Sequence, residues 1–258
     1  MKKRILSALL AAGMMLALAG CQPQTPQEML ESAAAKTNAL SSAEYAVAMS
    51  AQMDMGGIQM GMDIDQTLKL INDQENPQVE AVVSMDLFGE SVEAHTIYQD
   101  GWCYVDTMGS KMKYAADYDE FLATQGENLL DASGTPTDFS SLEDVSVTQD
   151  GDNRVISFTG GDALIEEIMG AVQDSQGMDI TDASGQFTID KDGYLSGQKF
   201  SFSASMDSDG MTGTMDMTID LTLQNPGAEV TIQVDDPDAY EEVDPSAITD
   251  GTEGLVTE

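Results

Sequence analysis

Tyr45-Ala46-Val47-Ala48-Met49-Ser50-Ala51-Gln52-Met53-Asp54-Met55-Gly56-Gly57-Ile58-Gln59-Met60-Gly61-Met62-Asp63-Ile64 reads as two strands and the turn between them. Tyr45, Val47, Met49, Ala51, Met53 and Met55 alternate with small or polar residues. Gly56-Gly57 is a hairpin signal, because a two-residue turn of the favoured hand needs positive φ at both positions. The return strand puts Ile58, Met60, Met62 and Ile64 on one side and Gln59, Asp63 and Asp65 on the other, and Leu68 and Leu70 extend the apolar set. Strict alternation marks an antiparallel sheet with one covered and one solvated face.

Upstream, the period changes at Ser41-Ser42 from two to 3.6. Thr25-Pro26-Gln27-Glu28 is a helix start: Thr25 as N-cap, Pro26 in the first turn, Glu28 closing a capping box. The helix is predicted to run to about Leu40, with Met29, Leu30, Ala33 and Leu40 on one broad face. Downstream, Val79 to Phe88, Val92 to Tyr98, Trp102 to Val105 and Lys111 to Tyr114 continue the meander, with turns near Gly89-Glu90, at Asp100-Gly101 and at Gly109-Ser110. Two helical stretches interrupt it, Asp117 to Leu130 and Asp162 to Val172. Between them, Ser146 to Thr148 and Arg154 to Thr159 flank Asp150-Gly151 as another hairpin. Gln186 to Asp190, Tyr194 to Met206, Met211 to Leu223 and Glu229 to Val234 return to sheet. The globular domain is therefore placed at residues 26–235, and residues 236–258, acidic and without Lys or Arg, read as a disordered tail.

The N-terminus carries an address. Lys2, Lys3 and Arg4 precede an apolar run of 15 residues, Ile5 to Ala19, whereas a spanning helix needs about 20. Leu18-Ala19-Gly20-Cys21 resembles the lipobox of bacterial lipoproteins. That resemblance implies cleavage after Gly20 (residues 1–20 as signal peptide), diacylglyceryl transfer to the Cys21 sulfur, and a short lipidated tether over residues 21–25. The expected location is the extracytoplasmic face of a membrane, lipid-anchored.

The net charge of −36, from ten basic and 46 acidic residues, argues against nucleic acid as a partner and against peripheral binding to anionic lipid. With Cys21 lipidated, Cys103 is left alone, so no intramolecular disulfide can form and the fold must rest on its core. Cys103, within a strand-like run, reads as a buried inert thiol.

The lipobox, the short tether, Glu28 to Tyr45 leading into the first hairpin, and Tyr98-Gln99-Asp100-Gly101-Trp102-Cys103-Tyr104 followed by Lys111 to Tyr114 together resemble the LolA-like lipoproteins. That group includes the mycobacterial LppX/LprG type and many lipoproteins of Firmicutes. The resemblance implies an α+β fold: a strongly curved antiparallel sheet, a half-open barrel, with the N-terminal helix and two mid-chain helices covering the concave face. It also implies a hydrophobic cavity that takes lipids or lipidated molecules.

Chemistry-bearing features are few. The chain has 18 methionines, with Met53-Asp-Met55, Met60-Gly-Met62 and Met215-Asp-Met217 each placing two thioethers on one strand face, about 7 Å apart. Three readings stand. Methionine fills an irregular core; it lines an adaptable cavity for an apolar guest; or the pairs bind Cu(I) through soft sulfur. The second makes Met53, Met55, Met60, Met62, Met85, Met215 and Met217 the candidate lining. The Asp-rich turns at 150–152, 190–193 and 207–210 lack the further ligands of a calcium loop and read as hairpin turns. His95 is the sole histidine, and no nucleophile elbow, zinc-protease helix or phosphate loop is present. The chain is therefore expected to be no enzyme and to need no cofactor. Its partners are expected to be the membrane, through Cys21, and a lipid-like ligand. A surface role among envelope proteins, with the sheet as mere scaffold, is the alternative.

Overall fold

The computed structural model describes residues 24–87, 90–126, 139, 142–160, 178–208 and 211–244. Helix α1 is Pro26–Asn38, and strands β1 and β2 are Ser42–Met55 and Ile58–Ile71. Met55 pairs with Ile58, leaving Gly56 and Gly57 at φ 63° and 91° as the whole turn. The meander continues through β3 (Gln78–Leu87), β4 (Glu90–Gln99), β5 (Trp102–Thr107) and β6 (Ser110–Ala115). After a short helix α2 (Tyr118–Phe121) come β7 (Glu143–Asp150), β8 (Asn153–Thr159), β9 (Met178–Ile189), β10 (Leu195–Ser208) and β11 (Met211–Gln224), and finally β12 (Glu241–Glu242).

These strands form one open, curved sheet in the order β12-β6-β5-β4-β3-β2-β1-β11-β10-β9-β8-β7. Two meanders, β1 to β6 and β7 to β11, are joined edge to edge by the antiparallel pair β1–β11. Every pairing is antiparallel except β12 on β6. The chain leaves the first meander at one edge and enters the second at the other. Both described ends of that crossover are buried on the apolar face: Phe121 beside Tyr98 of β4, and Phe139 beside Phe187 of β9.

The apolar face carries the core. On one side α1 lays Leu30, Ala33 and Ala34 over Ile156, Phe158, Phe187, Leu195 and Phe200. Phe187 meets Phe139 and Phe200 edge-on, at 5.3 and 5.6 Å, a favoured aromatic geometry. Phe158 lies across Gly185, where a Cβ would run into the ring. The rest of the face centres on Tyr45, Val47, Leu68, Tyr98, Cys103, Phe121, Phe202 and Leu221. A third, smaller cluster lies on the opposite side, because Ile97, Ile71 and Tyr104 point the other way from Tyr98, Leu70 and Cys103; Ile232 and Val234 cover it.

Four expectations change. Glu229 to Val234 alternates in burial but forms no ladder: both neighbours of β11 are already taken by β1 and β10, so the segment crosses the outer face as a strap. The tail does not begin at 236. Residues 236–244 fold onto the β6 edge, where Tyr240 packs edge-on to Tyr104 at 5.3 Å and the Val243 N–H donates to the Lys113 carbonyl at 2.9 Å. Acidic composition suggested disorder there, but an open strand edge and an aromatic partner hold the segment. The predicted helix Asp117 to Leu130 is α helix only over Tyr118–Phe121, then widens to π geometry at Leu122–Gly126; residues 127–130 are outside the described residues. Strand β9 begins eight residues before the predicted Gln186. Residues 1–20, Cys21, the predicted helix at 162–172 and residues 245–258 lie outside the described residues.

Candidate functional site

Strand register places the methionines. Met53 of β1 stands opposite Met215 of β11 and opposite Met60 of β2, so three adjacent strands each give one thioether to a single row. Two residues along, Met217, Ala51 and Met62 form the next row. The row beyond is Ile219, Met49, Ile64 and Met85. Met55 lies at the hairpin end between Ile58 and Gly213. All seven candidate residues thus share the apolar face.

Their burial differs. Met215 and Met217 are 5% and 9% exposed and belong to the core. Met53, Met55, Met60, Met62 and Met85 are half-buried. The described helices meet the sheet elsewhere, α1 against β7, β9 and β10 and α2 beside Tyr98. The apolar face is therefore well covered at both flanks and half-covered at its methionine end.

Three residues of this face were not among the candidate lining. Met49 packs half-buried against the core in the same rows. Gln66 and Gln198 are polar residues in apolar phase, 8% and 2% exposed. Gln198 sits opposite Leu221 and Phe187, and its Oε1 has no hydrogen-bond partner among the described residues. The signal was present in the sequence: Gln66 stands between Ile64 and Leu68, in step with both.

Cys103 is fully buried, and burial pushes its thiol up to about 11 despite a hydrogen bond with Tyr114. At neutral pH it is a protonated, unreactive group. His95 lies on the outer face, 3.1 Å from Glu80 Oε1, while Lys69 Nζ holds Glu80 Oε2 at 3.0 Å. It is part of a cross-strand charge ladder, away from the thioethers. The Asp190 turn is held by its own carboxylate, which accepts from the Asp192 and Tyr194 N–H groups at 2.9 Å. Among the described residues, no three His, Cys, Asp or Glu side chains converge to hold a metal. A shallow cavity of about 140 Å³ on the outer face is lined by Asp182, Ser184, Ser201, Ser203, Asp216 and Thr218 together with Phe202 and Met217. No described helix is long and apolar enough to cross a membrane.

A family profile described as "Family of unknown function (DUF6612)" matches residues 25–236. No curated protein matches the chain. Similar solved structures include LprF from Mycobacterium bovis, at 17% identity and a TM-score of 0.41, covering 81% of this chain and 95% of that one. A LolA superfamily protein, NE2245 from Nitrosomonas europaea, is similar at 11% identity and 0.25, covering 78% and 94%. A DUF1329 family protein from Desulfovibrio piger follows at 10% and 0.27, covering 80% and 96%.

Proposed function

The chain belongs to the family of unknown function DUF6612, and from that premise we propose that it is an extracytoplasmic lipoprotein, anchored through Cys21, that holds a hydrophobic or amphipathic guest against the methionine end of its curved sheet. One observation carries the reading: the apolar face is covered by helices at its flanks but remains half-buried over Met53, Met55, Met60, Met62 and Met85. Removing such surface from water is worth about 25 cal/mol per Å². Unbranched thioethers suit a guest of variable shape, since each side chain has three rotatable bonds. The guest's polar end stays at the rim, where the hairpin tip is exposed. The reading requires no catalytic group.

The test is extraction of the protein purified from membranes of its native host, followed by mass spectrometry of the organic phase. Stoichiometric lipid supports the reading. Met62→Glu, which sets a charge on the apolar face, should weaken binding of a fluorescent fatty-acid analogue at least about tenfold, because an unpaired charge there costs well over 1.4 kcal/mol. Thr214→Glu, on the exposed side of β11, should leave it unchanged. Equal binding by Met62→Glu and parent, with no lipid extracted, overturns the proposal. Cys21→Ala should release the protein from the membrane fraction; retention there would remove the anchor.

A further inference from the structure

We infer that Met53, Met60 and Met215 form a binding site for a soft monovalent metal ion, Cu(I) or Ag(I), built from three thioethers on three adjacent strands. The inference shares the methionine end of the sheet with the apolar-guest reading but does not rest on it.

The register is the first support. A Met-x-Met pair on one strand separates its side chains by about 7 Å, too far for a common ion without bending both inward. Directly opposed residues on neighbouring strands have Cβ atoms only about 4.5–5.5 Å apart. Met53 is directly opposed on both sides, by Met215 and by Met60. One ion above Met53 is thus within reach of three flexible side chains. Met62 and Met217, one row along and flanking Ala51, offer a fourth sulfur on the diagonal.

Access is the second support. Met215 is 5% exposed, while Met53 and Met60 are half-buried. The site has a rigid, packed side and a side that faces out. In the row towards the hairpin tip, β11 presents the buried Gly213 opposite Met55, so the open side is that of β2, where Ile58 is 67% exposed.

Selectivity follows from the donor set. Neutral thioether sulfur is a soft ligand that favours Cu(I) over Zn(II), Cu(II) or the hard cations. Among the described residues, the groups that would attract those others are elsewhere. His95 is on the opposite face with Glu80. Cys103 is two strands beyond β3, and its thiol is held protonated by burial. The acidic residues of β1 and β11 alternate onto the outer side, as Asp54 and Asp216 do. The net charge of −36 raises the local concentration of cations without supplying a competing ligand.

The test uses the full chain and the metal alone. Titration with Ag(I), which undergoes no redox change here, and with Cu(I) held by a bicinchoninate competitor without oxygen, should give one bound equivalent. With ¹³C-methyl-labelled methionine, the signals of Met53, Met60 and Met215 should shift first. Met53→Leu preserves volume and removes the shared sulfur; it should lower affinity about 100-fold or more, with the thermal midpoint little changed. Met112→Leu, on β6 four strands from β2, should bind as the parent does. No retained Ag(I), equal affinity in Met53→Leu, or shifts confined to other methionines each overturn the site. Lipid extraction reports on the apolar-guest reading separately, so either proposal can fail while the other stands.

Discussion

Cys103 shows how a residue's chemistry is set by its neighbours. A thiol is an ordinary weak acid in water; enclosed beneath Tyr98 and Tyr114 it is 0% exposed, and ionisation requires a buried charge. The native state therefore prefers the neutral form, and its pKa rises from about 9 to about 11. Stability from this preference is complete below the unfolded-state value and is lost as pH rises through the folded one. Burial raises Tyr45 and Tyr98 in the same direction. The urea midpoint should hold steady up to the ordinary thiol range and fall as pH approaches 11, and it should fall less in Cys103→Ala. A flat profile in the parent would refute the assignment. Gln198 is the contrasting case: a carbonyl oxygen buried without a partner among the described residues, the kind of group whose desolvation is uncompensated.

At the scale of the element, local signals were honoured where the chain could satisfy them alone. Thr25 accepts from the Glu28 N–H at 3.2 Å, and Glu28 accepts from the Thr25 N–H at 2.8 Å, so the predicted capping box is present. Thr25→Ala should destabilise the protein by about 1 kcal/mol, with Thr25→Ser nearly neutral, as read from urea unfolding. The hairpins obeyed their turn residues equally well: Asp100 and Gly101 take φ 53° and 77°. Met108, at φ 53° beside Gly109, was the less legible turn, since a methionine carries no turn signal. Helix α2 lost its regular geometry after Phe121, just where Phe121 stacks on Tyr98 at 4.8 Å. There aromatic packing on the sheet competes with helical continuation.

At the scale of the molecule, the strap is the feature that a list of elements misses. Residues 228–244 bind the outer face of the first meander, with Ile232 and Val234 over Ile97 and Tyr240 against Tyr104. They give a small core to a side that alternation marks as solvated. Ile232 is 4% exposed, and Ile232→Ala should cost about 2–4 kcal/mol through lost burial and a residual cavity. A loss under 0.5 kcal/mol would show that the strap is dispensable. Lys113 reinforces it by donating to the Pro237 carbonyl at 2.9 Å, so positive side chains on β6 offset part of the strap's acidity.

Period-two alternation fixed the strands, their two faces and most hairpin turns, because side-chain direction in a strand depends only on position along it. The same alternation put all seven candidate methionines on one face. It could not say which strands from the two halves would meet. The β1–β11 pairing brings Met215 beside Met53 across more than 150 residues of chain; no local signal encodes that contact. Nor could alternation separate Glu229 to Val234 from a true strand, because both bury every second residue. Whether a ladder forms depends on a free sheet edge, and the occupancy of edges is a property of the assembled fold.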